Sequence, residues 1–288
     1  IIGRVFECGF VKNKIMEFFG DGVASLPIEY RNGIDVMTTE TACLSSVWAT
    51  DDETKAYLEL PGRSGDYRKL SPADGAGYDG VLEVNLSEIE PMIALPSHPS
   101  NAYALSEVIE DPERVLREAG LEQLLPKVHD GSLWVNQGVI AGCAGGTYDN
   151  LCAAADILGG GSIGQGAFAM SAYPASQPVF SALIAEGAIS SLLDSGVTVR
   201  SAFCGPCFGA GDFPNREGSK PGAGQSAYVA LMDARSIAAT AKNGGRLTSA
   251  LGTELPTHKP TYDDAAYRSR FYNGYGHADE NEQLVFGP

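Results

Sequence analysis

Apolar and polar positions alternate in two different rhythms along the chain, and the change between them falls near Pro126. Before it the pattern is mixed. Asn13-Lys14-Ile15-Met16-Glu17-Phe18-Phe19 has the spacing of a short amphipathic helix ending at Gly20-Asp21-Gly22, and Ile28 to Met37 has that of another with Asp35 turned outward. Ala42 to Trp48 begins a buried element. Asp51-Asp52-Glu53-Thr54 predicts a capped helix running to Leu60, where Pro61-Gly62 stops it. Val81-Leu82-Glu83-Val84-Asn85-Leu86 alternates as a strand does, and Pro91 to Pro99 reads as a proline-punctuated loop.

From about Lys127 to Leu251 strands and helices alternate in order. A strand at Val139–Ala141 leads through a glycine-rich turn into a helix over Asp149–Leu158. Phe168–Tyr173 leads through Pro174-Ala175-Ser176-Gln177-Pro178 into a helix over Val179–Ala185. A third strand, Val197–Phe203, reaches Cys204, and Ala227–Met232 leads into a helix over Asp233–Lys242. Repeated strand, loop and helix imply a parallel sheet with helices on its faces, where ligands gather at the carboxyl ends of the strands. The last stretch, Gly252 to Pro288, has no sustained period and reads as an extended linker or strap. The expected organisation is one domain over 1–126, a second over 127–251 and a linker over 252–288.

Composition narrows the function classes. The 288 residues and 44% hydrophobic content suffice for packed cores. With 36 acidic and 20 basic side chains the formal charge is −16, which repels nucleic-acid backbones and anionic membranes, and no local basic patch offsets it. The start Ile1-Ile2-Gly3-Arg4 shows no signal-peptide pattern, and the longest apolar stretches are too short and too interrupted to span a bilayer. A cytoplasmic protein is expected. The 35 glycines suggest many close backbone approaches, as a cofactor site requires.

Three of the six cysteines stand in such turns at strand ends: Cys143 in Gly142-Cys143-Ala144-Gly145-Gly146, and the pair in Cys204-Gly205-Pro206-Cys207. Three chemistries compete for them. A redox dithiol would have its second cysteine on a helix, but Phe208-Gly209-Ala210-Gly211-Asp212 is too glycine-rich for one. Structural zinc takes four ligands, and no suitably spaced histidine supplies the fourth. An iron–sulfur cluster held by three thiolates fits the count best. Cys8, Cys43 and Cys152 lie on apolar or helical stretches and read as small buried hydrophobes. His98, His129, His258 and His277 share no ligand spacing and receive no role. Gly159-x-Gly161-x-x-Gly164 satisfies a dinucleotide fingerprint by letter but follows a helix, so it reads as a connecting loop.

At these residues the chain resembles the aconitase superfamily, the iron–sulfur hydro-lyases that include aconitase and isopropylmalate isomerase. Cys143 with Tyr148-Asp149-Asn150 and the Ala153-Ala154-Ala155 helix resembles the family's first cluster turn. Ala202-Phe203-Cys204-Gly205-Pro206-Cys207-Phe208-Gly209 is similar to the second, and Tyr173-Pro174-Ala175-Ser176-Gln177 to the Thr-Pro-Gly-Ser loop between them. Gly20-Asp21-Gly22 through Met37-Thr38-Thr39-Glu40, and Glu83 through Pro91, resemble earlier family segments. The likeness extends over residues 13 to 250.

The resemblance implies an α/β fold of two three-layer domains with mostly parallel sheets. It implies a four-iron, four-sulfur cluster on Cys143, Cys204 and Cys207, with one iron open to a small carboxylic-acid substrate as a Lewis acid. Glu40 matches the family's glutamate beside the iron-bound hydroxyl. Arg216 in Phe213-Pro214-Asn215-Arg216-Glu217-Gly218 matches a carboxylate-binding arginine; Ser176 reads as lying near the cluster or substrate, or equally as a helix N-cap after the Pro turn. Two departures accompany these matches: Ala144-Gly145 replace the family's Thr-Asn, and the stretch at Asp212-Phe213 is a dozen or more residues shorter. The family's N-terminal domain and swivelling C-terminal domain have no counterpart, so the chain reads as a central fragment, inactive alone, of an aconitase-like hydratase. Two other readings are an RNA-binding or metal-storing relative of the family, and a Cys-Gly-Pro-Cys dithiol oxidoreductase.

Overall fold

A computed structural model of the chain describes residues 1–96, 98–164, 166, 168–205 and 227–262, with isolated positions at 269, 279, 281 and 283. After a short helix α1 (Ile2–Val5), β1 (Ile15–Phe18) leads into α2 (Ile28–Met37), a 3-10 turn over Thr38–Thr41, and β2 (Ser45–Trp48). β1 and β2 pair in parallel, Ile15 with Ser45 through Phe18 with Trp48. The helix expected over 13–19 is therefore a strand; a run as short as Ile15-Met16-Glu17-Phe18 is compatible with both periods, and pairing with β2 decides between them. Asp35 does not point outward: its carboxylate accepts hydrogen bonds from the Ser46 hydroxyl and, at 2.8 Å, from Trp48 Nε1, fastening α2 onto β2.

Helix α3 (Asp52–Glu59) starts where expected. Asp51 caps it, accepting the Thr54 amide at 3.1 Å, while the Thr54 hydroxyl reciprocates toward the Asp51 amide. Val81–Leu86, expected as a strand, has no ladder; the stretch runs irregularly into a 3-10 turn at Leu86–Glu88. Its alternation is real, but no neighbouring strand completes its hydrogen bonds. The loop expected over 91–99 contains β3 (Met92–Ala94), paired antiparallel with β4 (Ala102–Ala104). α4 (Leu105–Glu110) and α5 (Pro112–Glu118) follow, then a short hairpin of β5 (Val128–His129) and β6 (Ser132–Leu133).

The alternating half forms as its pattern predicts. β7 (Gln137–Ala141) runs into a one-turn helix α6 (Gly142–Gly145) and then α7 (Tyr148–Leu158). β8 (Ala169–Tyr173) is followed by α8 (Gln177–Glu186) and α9 (Ala188–Asp194), and β9 (Thr198–Val199) completes a parallel sheet in the order β7-β8-β9. β9 stops four residues short of the expected end. The last expected strand is shortened to β10 (Leu231–Met232) and joins β3 antiparallel instead, ahead of α10 (Ala234–Lys242).

The chain is thus α/β. α7 is buried along most of its length, with Leu151, Ala153, Ala154 and Leu158 at 0–1% exposure. It packs with α8, α9 and α10 and with Ile140, Met170 and Ala172 of the sheet. A second apolar cluster joins Ile93, Leu105, Val108, Val115 and Leu116 to Leu133 and Leu247. Leu255 and Tyr262 of the final stretch pack against the first cluster, so the strap is docked through residue 262. Among the described residues no helix is long and apolar enough to cross a membrane.

Candidate functional site

The parallel pairing of β7 with β8 ends level, at Ala141 opposite Tyr173, so the turns that leave the two strands start side by side. Two glycines let them close. Gly146 lies so near the second turn that a Cβ on it would come within 2.0 Å of the Tyr173 carbonyl oxygen, and its own carbonyl accepts the Ala175 amide at 2.7 Å. Gly142 has φ +65°, a left-handed conformation that favours glycine, and a Cβ there would meet Cys204 Cα at 3.2 Å. After β9 the Arg200 amide donates to the Ala172 carbonyl at 2.9 Å, and the chain then turns so that Cys204 stacks its backbone on Gly142. Gly205 packs against Ala141 and the Tyr173 ring. Cys143 and Cys204, 61 positions apart in sequence, are thereby neighbouring turns at the carboxyl end of one sheet.

The thiols differ as their surroundings dictate. Cys143 is exposed and Cys204 half-buried, whereas Cys152, nine positions after Cys143 and just over one turn into α7, is fully buried. Burial pushes the Cys152 thiol up to about 12, so it stays protonated near neutral pH and is a poor metal ligand. Cys8 is exposed far from these turns in sequence, and its thiol lies 3.6 Å from the Arg4 and Val5 carbonyls; Cys43 donates to the Thr38 carbonyl at 3.4 Å. Among the described residues, accessible thiols and strand-end turns coincide at Cys143 and Cys204. Their donor chemistry suits a thiolate-bound cluster: the Cys143 thiol is exposed, Cys204 is half-buried, and the two turns meet backbone to backbone, although among the described residues no group of three or more His, Cys, Asp or Glu gathers as for a metal ion. Cys207 and Arg216 lie outside the described residues.

Ser176 serves as the N-cap of α8, its Oγ accepting the Val179 amide at 3.3 Å. Glu40 is half-buried in the Thr38–Thr41 turn that continues α2. α2 lies against the Cys143 turn, where the Cβ position of Gly33 is 3.8 Å from the Ala144 carbonyl oxygen. α2, which the Glu40 turn continues, is thus laid on the turn carrying Cys143.

A polar network that local sequence patterns do not announce makes this junction. Glu29, in the first turn of α2, accepts the Asp149 amide of α7 at 3.0 Å. Asp149 Oδ2 is 2.7 Å from Arg235 Nη2 on α10, and the other nitrogen of that guanidinium donates to the Tyr30 hydroxyl. Asp149 Oδ1 accepts the His258 amide at 3.1 Å, and the His258 ring sits 2.8 Å from Asp156. His258, assigned no role from spacing, therefore pins the strap to α7. Burial raises the Glu29 carboxyl above its ordinary range against the lowering effect of the Asp149 amide, and burial likewise raises the Tyr30 hydroxyl.

The sequence model of the aconitase family (aconitate hydratase) matches residues 1–243. Over 209 residues the chain is 29% identical to the 3-isopropylmalate dehydratase large subunit of Lachnoclostridium phytofermentans and 29% identical to the 2,3-dimethylmalate dehydratase large subunit of Eubacterium barkeri. Each alignment covers 73% of this chain and 44% of the relative. The 3-isopropylmalate dehydratase large subunit of Syntrophus aciditrophicus is 30% identical at the same coverage. The chain spans less than half the length of these curated relatives.

Proposed function

The chain belongs to the aconitase family, and on that basis we propose that it forms the cluster-bearing part of a hydro-lyase acting on a hydroxylated di- or tricarboxylic acid. The observation that supports this reading is the stacking of the Cys204 backbone on Gly142, which brings together two cysteine turns far apart in sequence. Cys143, Cys204 and Cys207 would hold a four-iron, four-sulfur cluster. Bound there, it would supply a Lewis-acidic iron for the substrate's hydroxyl and a carboxylate.

The chain's own residues supply orientation and proton handling. Glu40 holds a proton at its carboxylate for the departing or arriving hydroxyl. Arg216 grips a substrate carboxylate with its planar fork, which stays charged at any working pH. Ser176 Oγ, already accepting the Val179 amide, has an O–H to donate toward a second carboxylate. The relatives are named large subunits, and we take a further subunit or domain to close the site and complete the acid, base and carboxylate contacts.

Anaerobic reconstitution with iron and sulfide tests the reading. About four irons per chain are expected. Cys204→Ser and Cys207→Ser lose them, while Cys152→Ser keeps them. Absence of iron from the wild-type protein, or undiminished iron in Cys204→Ser, would overturn the proposal. The substrate class is then read from the absorbance of the unsaturated acid formed by the complete enzyme.

A further inference from the structure

Helix α7 begins without a cap of its own. Its N-cap residue, Thr147, makes no side-chain bond to the first-turn amides, although Thr147, Tyr148 and Asp149 are all buried. Buried orphan amides at a helix start need an acceptor from somewhere. Glu29 provides it from α2: it accepts the Asp149 amide at 3.0 Å. A carboxylate at a helix N-terminus is also favoured by the helix dipole.

The placement of this cap matters. Glu29 and Gly33 are four residues apart and so share one face of α2. Glu29 meets the chain at Asp149, and Gly33 meets it at Ala144, beside Cys143. Two contacts on one helix face fix both the position and the rotation of α2 over the Cys143 turn. Glu40 follows eleven residues after Glu29 in the turn that continues the same helix.

We propose that Glu29 is a positioning residue of the cysteine site, capping α7 from α2 and so fixing the Cys143 turn against the segment that bears Glu40. The assignment rests on the proposed roles of Cys143 and Glu40, and its test separates the two.

The variants are Glu29→Ala, which removes the cap, and Glu29→Gln, whose amide oxygen still accepts. In the iron-free chain, amide hydrogen exchange is followed at Cys143–Asp149, with Leu151–Leu158 and β8 as internal references. Glu29→Ala is expected to speed exchange at Cys143–Asp149 by about fivefold, the loss of one cap, and to leave the references unchanged. Glu29→Gln restores the slow rates.

In protein reconstituted anaerobically, Glu29→Ala sheds iron to a chelator several-fold faster and alters the electron paramagnetic resonance spectrum of the reduced cluster. Glu29→Gln behaves as wild type. Unchanged exchange at Cys143–Gly146 in Glu29→Ala overturns the inference, as does a wild-type spectrum with wild-type iron retention, even if the melting temperature falls. If the wild-type protein takes up no iron, the cluster reading fails, and the exchange experiment still decides the role of Glu29.

Discussion

The two stretches that meet at the site are held together by opposite means. Between Val135 and Leu251 the structure is an apolar layer in which α7 is almost entirely enclosed. Between Val11 and Ile93 no apolar side chain is fully buried; the buried residues there are Arg31, Thr38 and Thr41. Arg31, 1% exposed, makes a bidentate pair with Asp51 at 2.7 and 3.0 Å and donates to the Leu26 and Val23 carbonyls. The cysteine turns thus rest on close packing, whereas the stretch from Val23 to Asp51 that includes Glu40 rests on directed hydrogen bonds, those of the Arg31 guanidinium and those of the Thr38 and Thr41 hydroxyls. Packing tolerates no added volume, whereas a polar scaffold tolerates no lost partner.

The sharpest way to break this contrast is Gly146→Ala. A Cβ at 2.0 Å from a backbone oxygen forces the two turns apart, and a loss of more than about 4 kcal/mol is expected in urea unfolding. A variant of normal stability would show that the turns are not fixed by backbone contact. Arg31→Met should cost about 3–5 kcal/mol, because it strands Asp51 and two carbonyls. Its damage is expected to stay in the Glu40 segment, so alkylation of Cys152 remains slow under native conditions. Leu151→Ala, about 3 kcal/mol by cavity formation, should unmask Cys152 and leave residues 14–70 protected from exchange. If the two variants expose the same amides, the halves are one cooperative unit.

Smaller effects come from pH. Hydrogen bonds from Arg31 hold the Asp51 carboxyl below its ordinary range. Its contribution is complete above the ordinary carboxylate pKa and is lost as pH falls through the lowered value, so the Glu40 segment melts first in acid. Glu29 has the opposite sign: its raised pKa favours folding below the ordinary carboxylate pKa, and that contribution fades as pH rises. The stability of Glu29→Gln relative to wild type should therefore increase from pH 4 to pH 8 in urea midpoints; a flat difference would contradict the burial of that carboxyl. The least effect is a gain. Gly33→Ala, inside α2 with its nearest neighbour at an ordinary 3.8 Å, should stabilise by about 0.5–1 kcal/mol.

The same division governs what the sequence could disclose. β7, α7, β8 and α8 were readable because each apolar run is bounded by glycine or proline and has one consistent period. The polar-scaffolded half misled: Asn13–Phe19 fits a helix by spacing and is a strand by pairing, and Val81–Leu86 alternates without a partner. Asp35 looked solvated because nothing nearby in sequence announces Ser46 and Trp48 as its donors. That Cys143 and Cys204 stand in glycine turns after strands is legible in the sequence; that the two turns touch is seen only in the fold. Glu29, Asp149 and Arg235 were not legible, since an acid in a first helical turn is a common surface feature. Only the assembled fold shows that this one caps a different helix.

The span of those contacts bears on when the site comes into being. Glu29 and Asp149 are separated by 120 positions, Tyr30 and Arg235 by 205, and His258 meets Asp149 across 109. Pairings this remote form late, after local elements have condensed. During synthesis β7 and α7 emerge long before Arg235 and His258 do, so the Cys143 turn passes through a period in which its neighbours are tethered on one side only. In that interval the Cys143 thiol, exposed even in the finished fold, lacks the partners that later hold its turn in place.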